Sequence, residues 1–242
     1  MTTGERIVKN LLQRFGILIR KYTPGSSEEL RRIKLFGHHG INLVLDIGAN
    51  KGQYAQGLID NGYKGRIVSF EPLSSAHSRL TMAAARNKNW KVADRCALGA
   101  VRSQMEINIT VNSVSSTLKE MNSRHHNGLE ASTIVSRETV PVIPLDEASA
   151  SYIQNGDRVF IKIDVEGFEQ EVINGGISTI ERATGIEIEI SIIPLYTGQS
   201  FLLPQVLEWM ASKNFRLVSI TPGFTNFSTG EVMQCNGIFI RS

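Results

Sequence analysis

The 242-residue sequence is poor in cysteine: it holds only Cys96 and Cys235, neither in a C-x-x-C or His/Cys cluster. That argues against zinc and dithiol redox sites and fits a reducing compartment. Long hydrophobic runs are missing too. No stretch reaches the roughly 18 apolar residues of a membrane span, and the N-terminus lacks the charged head, apolar core and cleavage site of a secretory signal. A cytoplasmic location is the expectation. Charge of one sign is scarce, since 26 basic and 23 acidic side chains give +3. This is far from the dense positive field that holds a phosphate backbone, so no nucleic-acid partner is expected.

What is present suffices for one main domain, with 41% hydrophobic residues to build a core. The basic excess is N-terminal: residues 1–40 hold eight Lys or Arg and three Glu. Within them Ile7, Val8, Leu11, Leu12, Phe15, Leu18 and Ile19 recur at helical spacing, with Lys9, Arg14, Arg20 and Lys21 interspersed. The pattern predicts a basic amphipathic helical segment over 1–40, ahead of a domain over 41–242. Such a helix packs on the core or on a second copy, or it rests peripherally on the inner face of an anionic membrane. The oligomeric state stays open.

From about residue 41, short apolar runs alternate with helix-patterned stretches, as in βαβ units with a mostly parallel sheet. Strands are expected at 42–47, 65–70, 91–98, 104–111, 158–165, 185–193, 215–220 and 236–240, the last two as an antiparallel C-terminal hairpin. Helices are expected near 54–61, 73–87, 168–175 and 202–213. The polar stretch 112–139, with Ser115-Ser116 and His125-His126, suggests a mobile cover. Residues 140–145 read as an edge strand, because Pro141 and Pro144 cannot donate to a ladder.

The most informative segment is Leu43-Val44-Leu45-Asp46-Ile47-Gly48-Ala49-Asn50-Lys51-Gly52-Gln53-Tyr54. An apolar strand ends in a carboxylate and turns through two glycines into a helix, where open α/β sheets bind ligands. A dinucleotide site would show G-x-G-x-x-G to receive a pyrophosphate. Here the turn reads G-A-N-K-G, which suits a ligand with an ammonium group and no pyrophosphate, such as S-adenosylmethionine. Glu71 closes the second strand, placed to accept both hydroxyls of an adenosine ribose. Tyr54, at the end of the turn, belongs to this set, and Ala97, within Cys96–Leu98, flanks the adenine.

Further on, Lys162, Asp164 and Glu166 alternate along Arg158–Gly167, and Glu187, Glu189 and Ser191 repeat the pattern. Buried unpaired charges are costly, so these strand ends should line an opening. Methyl transfer to a hydroxyl needs a positioned oxygen and a group that takes its proton. Asp164 or Glu166 could be that base; Asp164 is expected beside the methionyl end of the cofactor and Glu166 nearer the acceptor, with Lys162 on the same face as a third catalytic candidate. No metal ligand is assigned, although such acids could instead hold magnesium. His125 and His126 are bases only if the polar stretch folds over the site.

D-I-G-A-N-K-G-Q-Y, F-E-P-L, C-A-L-G, S-S-T-L, P-L-D-E and K-I-D-V-E-G-F-E, in this order, resemble the FkbM family of methyltransferases. The resemblance covers about residues 41–193. It implies a Rossmann-like class I methyltransferase fold, a mostly parallel seven-stranded α/β sheet with helices on both faces. It further implies S-adenosylmethionine as cofactor and a sugar hydroxyl of a glycolipid, glycan or glycosylated natural product as acceptor. The basic N-terminal helix is similar to that of rhamnosyl O-methyltransferases. Carried residue by residue, the resemblance gives Asp46, Gly48, Asn50, Gly52, Glu71 and Pro72 to the cofactor and makes Lys162, Asp164, Glu166 and Glu169 a second signature. Leu73-Ser74 departs from the family's usual second proline. Two alternatives stand beside this reading: an NAD-dependent oxidoreductase, and a non-enzymatic sugar- or lipid-binding module on the same scaffold.

Overall fold

A computed structural model describes residues 3–110 and 134–242. Two helices, α1 (Thr3–Arg14) and α2 (Glu28–His39), precede strand β1 (Leu43–Ile47). Then come α3 (Gln53–Asp60), β2 (Arg66–Phe70), α4 (Ser74–Ala84), β3 (Trp90–Val92) and β4 (Ala97–Leu98). The middle of the chain supplies β5 (Ser103–Thr110), β6 (Ile134–Ile143), α5 (Leu145–Ser149) and β7 (Val159–Ile163). The remainder is α6 (Glu169–Asn174), α7 (Ile177–Arg182), β8 (Gly185–Ser191), α8 (Leu203–Ser212), β9 (Phe215–Pro222) and β10 (Gln234–Arg241).

Seven strands form one sheet in the order β3-β2-β1-β7-β8-β10-β9. All its pairs are parallel except those of β10, which runs antiparallel to both β8 and β9. The mostly parallel sheet with an antiparallel C-terminal hairpin is the one expected. The chain leaves β1 toward β2 and β3, then returns to β7 on the other side. This reversal opens the crevice in which such sheets bind ligands.

Alternation along the strands divides the core. Leu43, Leu45 and Ile47 pack with Val172, Ile180, Val206 and Met210 on one face. Val44 and Phe160 pack with Phe36, Ala55, Leu58 and Leu80 on the other. Helices thus cover both faces, which is why the central strands read as apolar runs. Helix α2 starts at Ser27, whose hydroxyl accepts the Leu30 N–H at 3.1 Å, and ends at the left-handed Gly40.

The structure departs from the sequence reading in several places. The strand expected over 91–98 splits: Trp90–Val92 pairs with β2, whereas Ala97–Leu98 pairs with β6. Polar Asp94 and Arg95 interrupt the apolar run where it parts. Residues 140–145 are not an edge, because β6 is the middle strand of a three-stranded sheet, β4-β6-β5. Pro141 pairs with Gln104 of β5, and on its other side β4 pairs only with Val142 and Ile143, so no donor is missing from the β4 ladder. Ser115, Ser116, His125 and His126 lie outside the described residues, while 134–139, counted in the polar stretch, belong to β6. Finally, the N-terminal helix stops at Arg14 rather than running through Ile19, because Gly16 turns left-handed at φ 73°.

Arg32 fastens α2 to the sheet. Its guanidinium grips Glu187 through two nitrogens, with Nε at 2.7 Å from Oε2, and both side chains are buried. Arg32→Ala therefore strands a buried carboxylate and should cost about 3–5 kcal/mol in urea unfolding. Adding Glu187→Ala to it should recover part of that loss.

Candidate active site

Strand register sets a row of polar side chains across the sheet. Ser69, Asp46, Lys162 and Glu187 are neighbours on β2, β1, β7 and β8. They share the face of Val44 and Phe160, beneath α2 and α3. Lys162 Nζ lies 3.7 Å from Asp46 and 3.1 Å from Asp164, and donates to the Gly48 carbonyl at 3.4 Å. Burial alone would depress this ammonium, but Asp164 and Asp46 overcome it and hold the pKa above its ordinary value. Asp46 is fully buried, with Ser69 Oγ donating to it at 3.0 Å. Burial raises its pKa, and Lys162 works against that rise.

Glu71, just past β2, accepts the backbone N–H of Asn50 on one oxygen and of Leu73 on the other, each at 2.8 Å. Each carboxylate oxygen keeps a further lone pair for a ligand hydroxyl. Burial pushes the Glu71 pKa up, opposed by the two N–H donors.

A cavity of about 420 Å³ opens above these groups. Gly48, Asn50, Tyr54, Glu71, Pro72 and Ala97 line it, as do Lys162, Asp164 and Glu166. Asp46 and Gly52 lie buried behind the wall. Both glycines of the turn answer to protein contacts. At Gly48, φ 77°, a Cβ would sit 1.8 Å from the Asp164 carbonyl oxygen, and at Gly52, φ 89°, it would strike the Trp90 ring at 2.6 Å.

Strand β7 ends at Ile163, so Glu166 does not follow the alternation expected of it. The loop instead turns left-handed at Glu166 (φ 53°) and Gly167 (φ 90°). Tyr196 presses its ring where a Gly167 Cβ would be and donates its hydroxyl to Glu166 Oε2. Glu169 braces the loop by accepting the N–H of Gly167 at 3.0 Å and of Val165 at 3.3 Å. Burial, then the Asp164 charge, pushes the Glu166 pKa up to about 8, and burial raises Glu169 to about 7. Glu189 is raised well above its usual value by the same two causes. Carboxylate oxygens of Asp164, Glu166 and Glu189 come within 4.8 Å of one another, a set that could hold a divalent cation.

Two contributors escaped the sequence reading. Tyr196 lies in the loop after β8, thirty positions from its partner, and nothing local marks it. Arg32 carries a weak signal, one helical turn before the core residue Phe36 on the same face. It lies 4.9 Å from the Tyr54 ring centroid, and Tyr54 donates its hydroxyl to Glu187 at 2.9 Å. Gly48→Ala should destabilise the protein by at least about 3 kcal/mol in thermal unfolding. Gly57→Ala, with open space around its Cβ, should be neutral or stabilising by about 0.5–1 kcal/mol.

Residues 46–217 match the family profile described as the methyltransferase FkbM domain. No curated protein matches the chain. Among solved structures, it is similar to Aeropyrum pernix fibrillarin with natively bound S-adenosyl-L-methionine, at 10% identity and TM-score 0.47, over 82% of this chain and 66% of that one. It is also similar to a putative rRNA methylase from Clostridium thermocellum, at 13% identity and TM-score 0.46, over 93% and 100% of the two chains. The family match displaces the oxidoreductase alternative. The residues fit S-adenosylmethionine as cofactor: Glu71 retains acceptors for a ribose diol, and Asn50 Oδ1 is buried with no hydrogen-bond partner. Cys96, Leu98 and Phe70 give the cavity an apolar part for a base. With the profile spanning most of its length, from the carboxylate of β1 into β9, the chain belongs to the FkbM family of S-adenosylmethionine-dependent methyltransferases.

Proposed function

We propose that the protein is an O-methyltransferase whose acceptor is a sugar hydroxyl on a glycolipid, glycan or glycosylated natural product. The observation that carries this reading is Glu166, a carboxylate on the cavity wall whose pKa is pushed up to about 8. A base of that strength is matched to taking a hydroxyl proton near neutral pH. The wall also carries six acids, Glu28, Glu29, Glu71, Asp164, Glu166 and Glu187, against two bases, Arg32 and Lys162. Carboxylates accept hydrogen bonds from a polyhydroxylated acceptor and repel a polyanion, which favours a saccharide over a nucleic acid.

S-adenosylmethionine, when bound, supplies the electrophilic methyl group. Glu71 would hold its ribose, Asn50 and the Gly48 turn its amino-acid end, and Ala97 its base. Glu166 would receive the acceptor's proton as the acceptor oxygen bonds the methyl carbon and the methyl–sulfur bond breaks with its electron pair left on sulfur, and would then pass the proton to solvent. Tyr196 fixes the carboxylate by donating to it. Asp164 stands beside the donor end with its charge shared by Lys162 at 3.1 Å. That sharing keeps it from over-stabilising a sulfonium that loses its charge during transfer.

The test uses purified protein, labelled cofactor and a glycan or glycolipid extract, with mass location of the added methyl. Glu166→Gln should lower kcat by about 10²–10⁴-fold while cofactor affinity is retained. The rate should rise with pH through about 8, because Glu166 must be ionised to act. Tyr196→Phe, by removing a donor that stabilises the ionised form, should move that limb to higher pH. Full activity in Glu166→Gln eliminates the base. Activity lost in EDTA and restored by magnesium makes the carboxylate trio a cation site instead, and cofactor binding without transfer to any glycan pool favours the binding-module alternative.

A further inference from the structure

Apolar exposure is concentrated at the N-terminal end. Of thirteen large hydrophobic side chains exposed among the described residues, seven fall between Val8 and Tyr22. Val8, Leu11 and Phe15 share one face of α1 and its C-terminal turn, and Ile17, Leu18 and Ile19 continue past it, each at least 49% exposed. Domain cores do not leave such a run in water, and isolated exposed hydrophobics elsewhere on the surface are ordinary.

The charges along this segment are mostly positive. Residues 1–27 contain Arg6, Lys9, Arg14, Arg20 and Lys21 against the single acid Glu5. Cations flanking an apolar stripe complement an anionic lipid surface, which accepts the stripe at the headgroup boundary and attracts each cation. No helix among the described residues is long and apolar enough to cross a membrane.

The segment is also tied to the body near the cavity. Tyr22 donates its hydroxyl to Asn61 at 2.7 Å, and Arg31 donates to the Pro24 carbonyl at 2.8 Å. Glu28, which lines the cavity, comes only six positions after Tyr22. Even fully extended they span about 20 Å.

The geometry points to residues 3–22 as an interfacial docking element that seats the protein on an anionic lipid bilayer and holds the mouth of the cavity near its surface. This goes beyond the proposed reaction, and its test does not depend on the acceptor. The full chain should co-sediment with vesicles of phosphatidylcholine containing phosphatidylglycerol, weakly with phosphatidylcholine alone, and less as salt rises. Arg14→Gln and Lys21→Gln should each lower partitioning about fivefold. Leu11→Glu/Phe15→Glu should lower it on the order of tenfold or more with the thermal unfolding temperature unchanged, since both side chains are exposed. Failure to sediment with anionic vesicles, or undiminished binding by Leu11→Glu/Phe15→Glu, overturns the assignment. So does a lipid-free dimer that dissociates in that variant, which would give the face to a second copy of the chain.

Discussion

A lysine buried in the middle of a parallel sheet is the constraint around which the rest is arranged. Lys162 cannot keep its charge there unless carboxylates meet it, and Asp46 beside it and Asp164 beyond it supply them. Ser69 then donates to Asp46 Oδ2 from the next strand, and the Trp90 indole donates to Ser69 at 2.9 Å. On the other side Glu187 needs a cation of its own, which Arg32 brings from a helix outside the residues that match the family. The result is a polar band that crosses four strands on one face only, while the opposite face stays apolar.

That one-sidedness lets the sheet tolerate the charge. Period-two alternation keeps Leu45, Ile161 and Ile188 in the core and turns Asp46, Lys162 and Glu187 toward α2 and α3. Around the loop after β7, burial raises the pKa values of Glu166, Glu169 and Glu189, and the Asp164 charge adds to the rise of each.

The sheet and the turn after β1 were legible in the sequence because both are local: apolar runs with the period of a strand, and glycines at positive φ. Glu71 was legible by its spacing. The two-residue β4 and the central position of β6 were not, since pairing between distant segments overrides a run of propensity and two prolines. The loop at Glu166 hid its geometry for another reason. Strand alternation says nothing once the strand has stopped, and the left-handed turn that aims this side chain is signalled only by Gly167 beside it. Tyr196 enters the site through tertiary packing alone, and Arg32 is marked only by its spacing from Phe36.

Gly48 and the Asp164 carbonyl approach so closely that no side chain atom fits between the turn after β1 and the loop after β7. In the proposed reaction those two segments carry the donor side and the proton-accepting side of the cavity, and they are in direct backbone contact, the Asp164 N–H donating to the Ile47 carbonyl at 3.2 Å. Neither can be reshaped without displacing the other. Diversification toward new acceptors is thereby channelled away from the sheet's edge of attachment and into its periphery, the β4-β6-β5 layer and α2, which can change shape while the reacting centre keeps its dimensions.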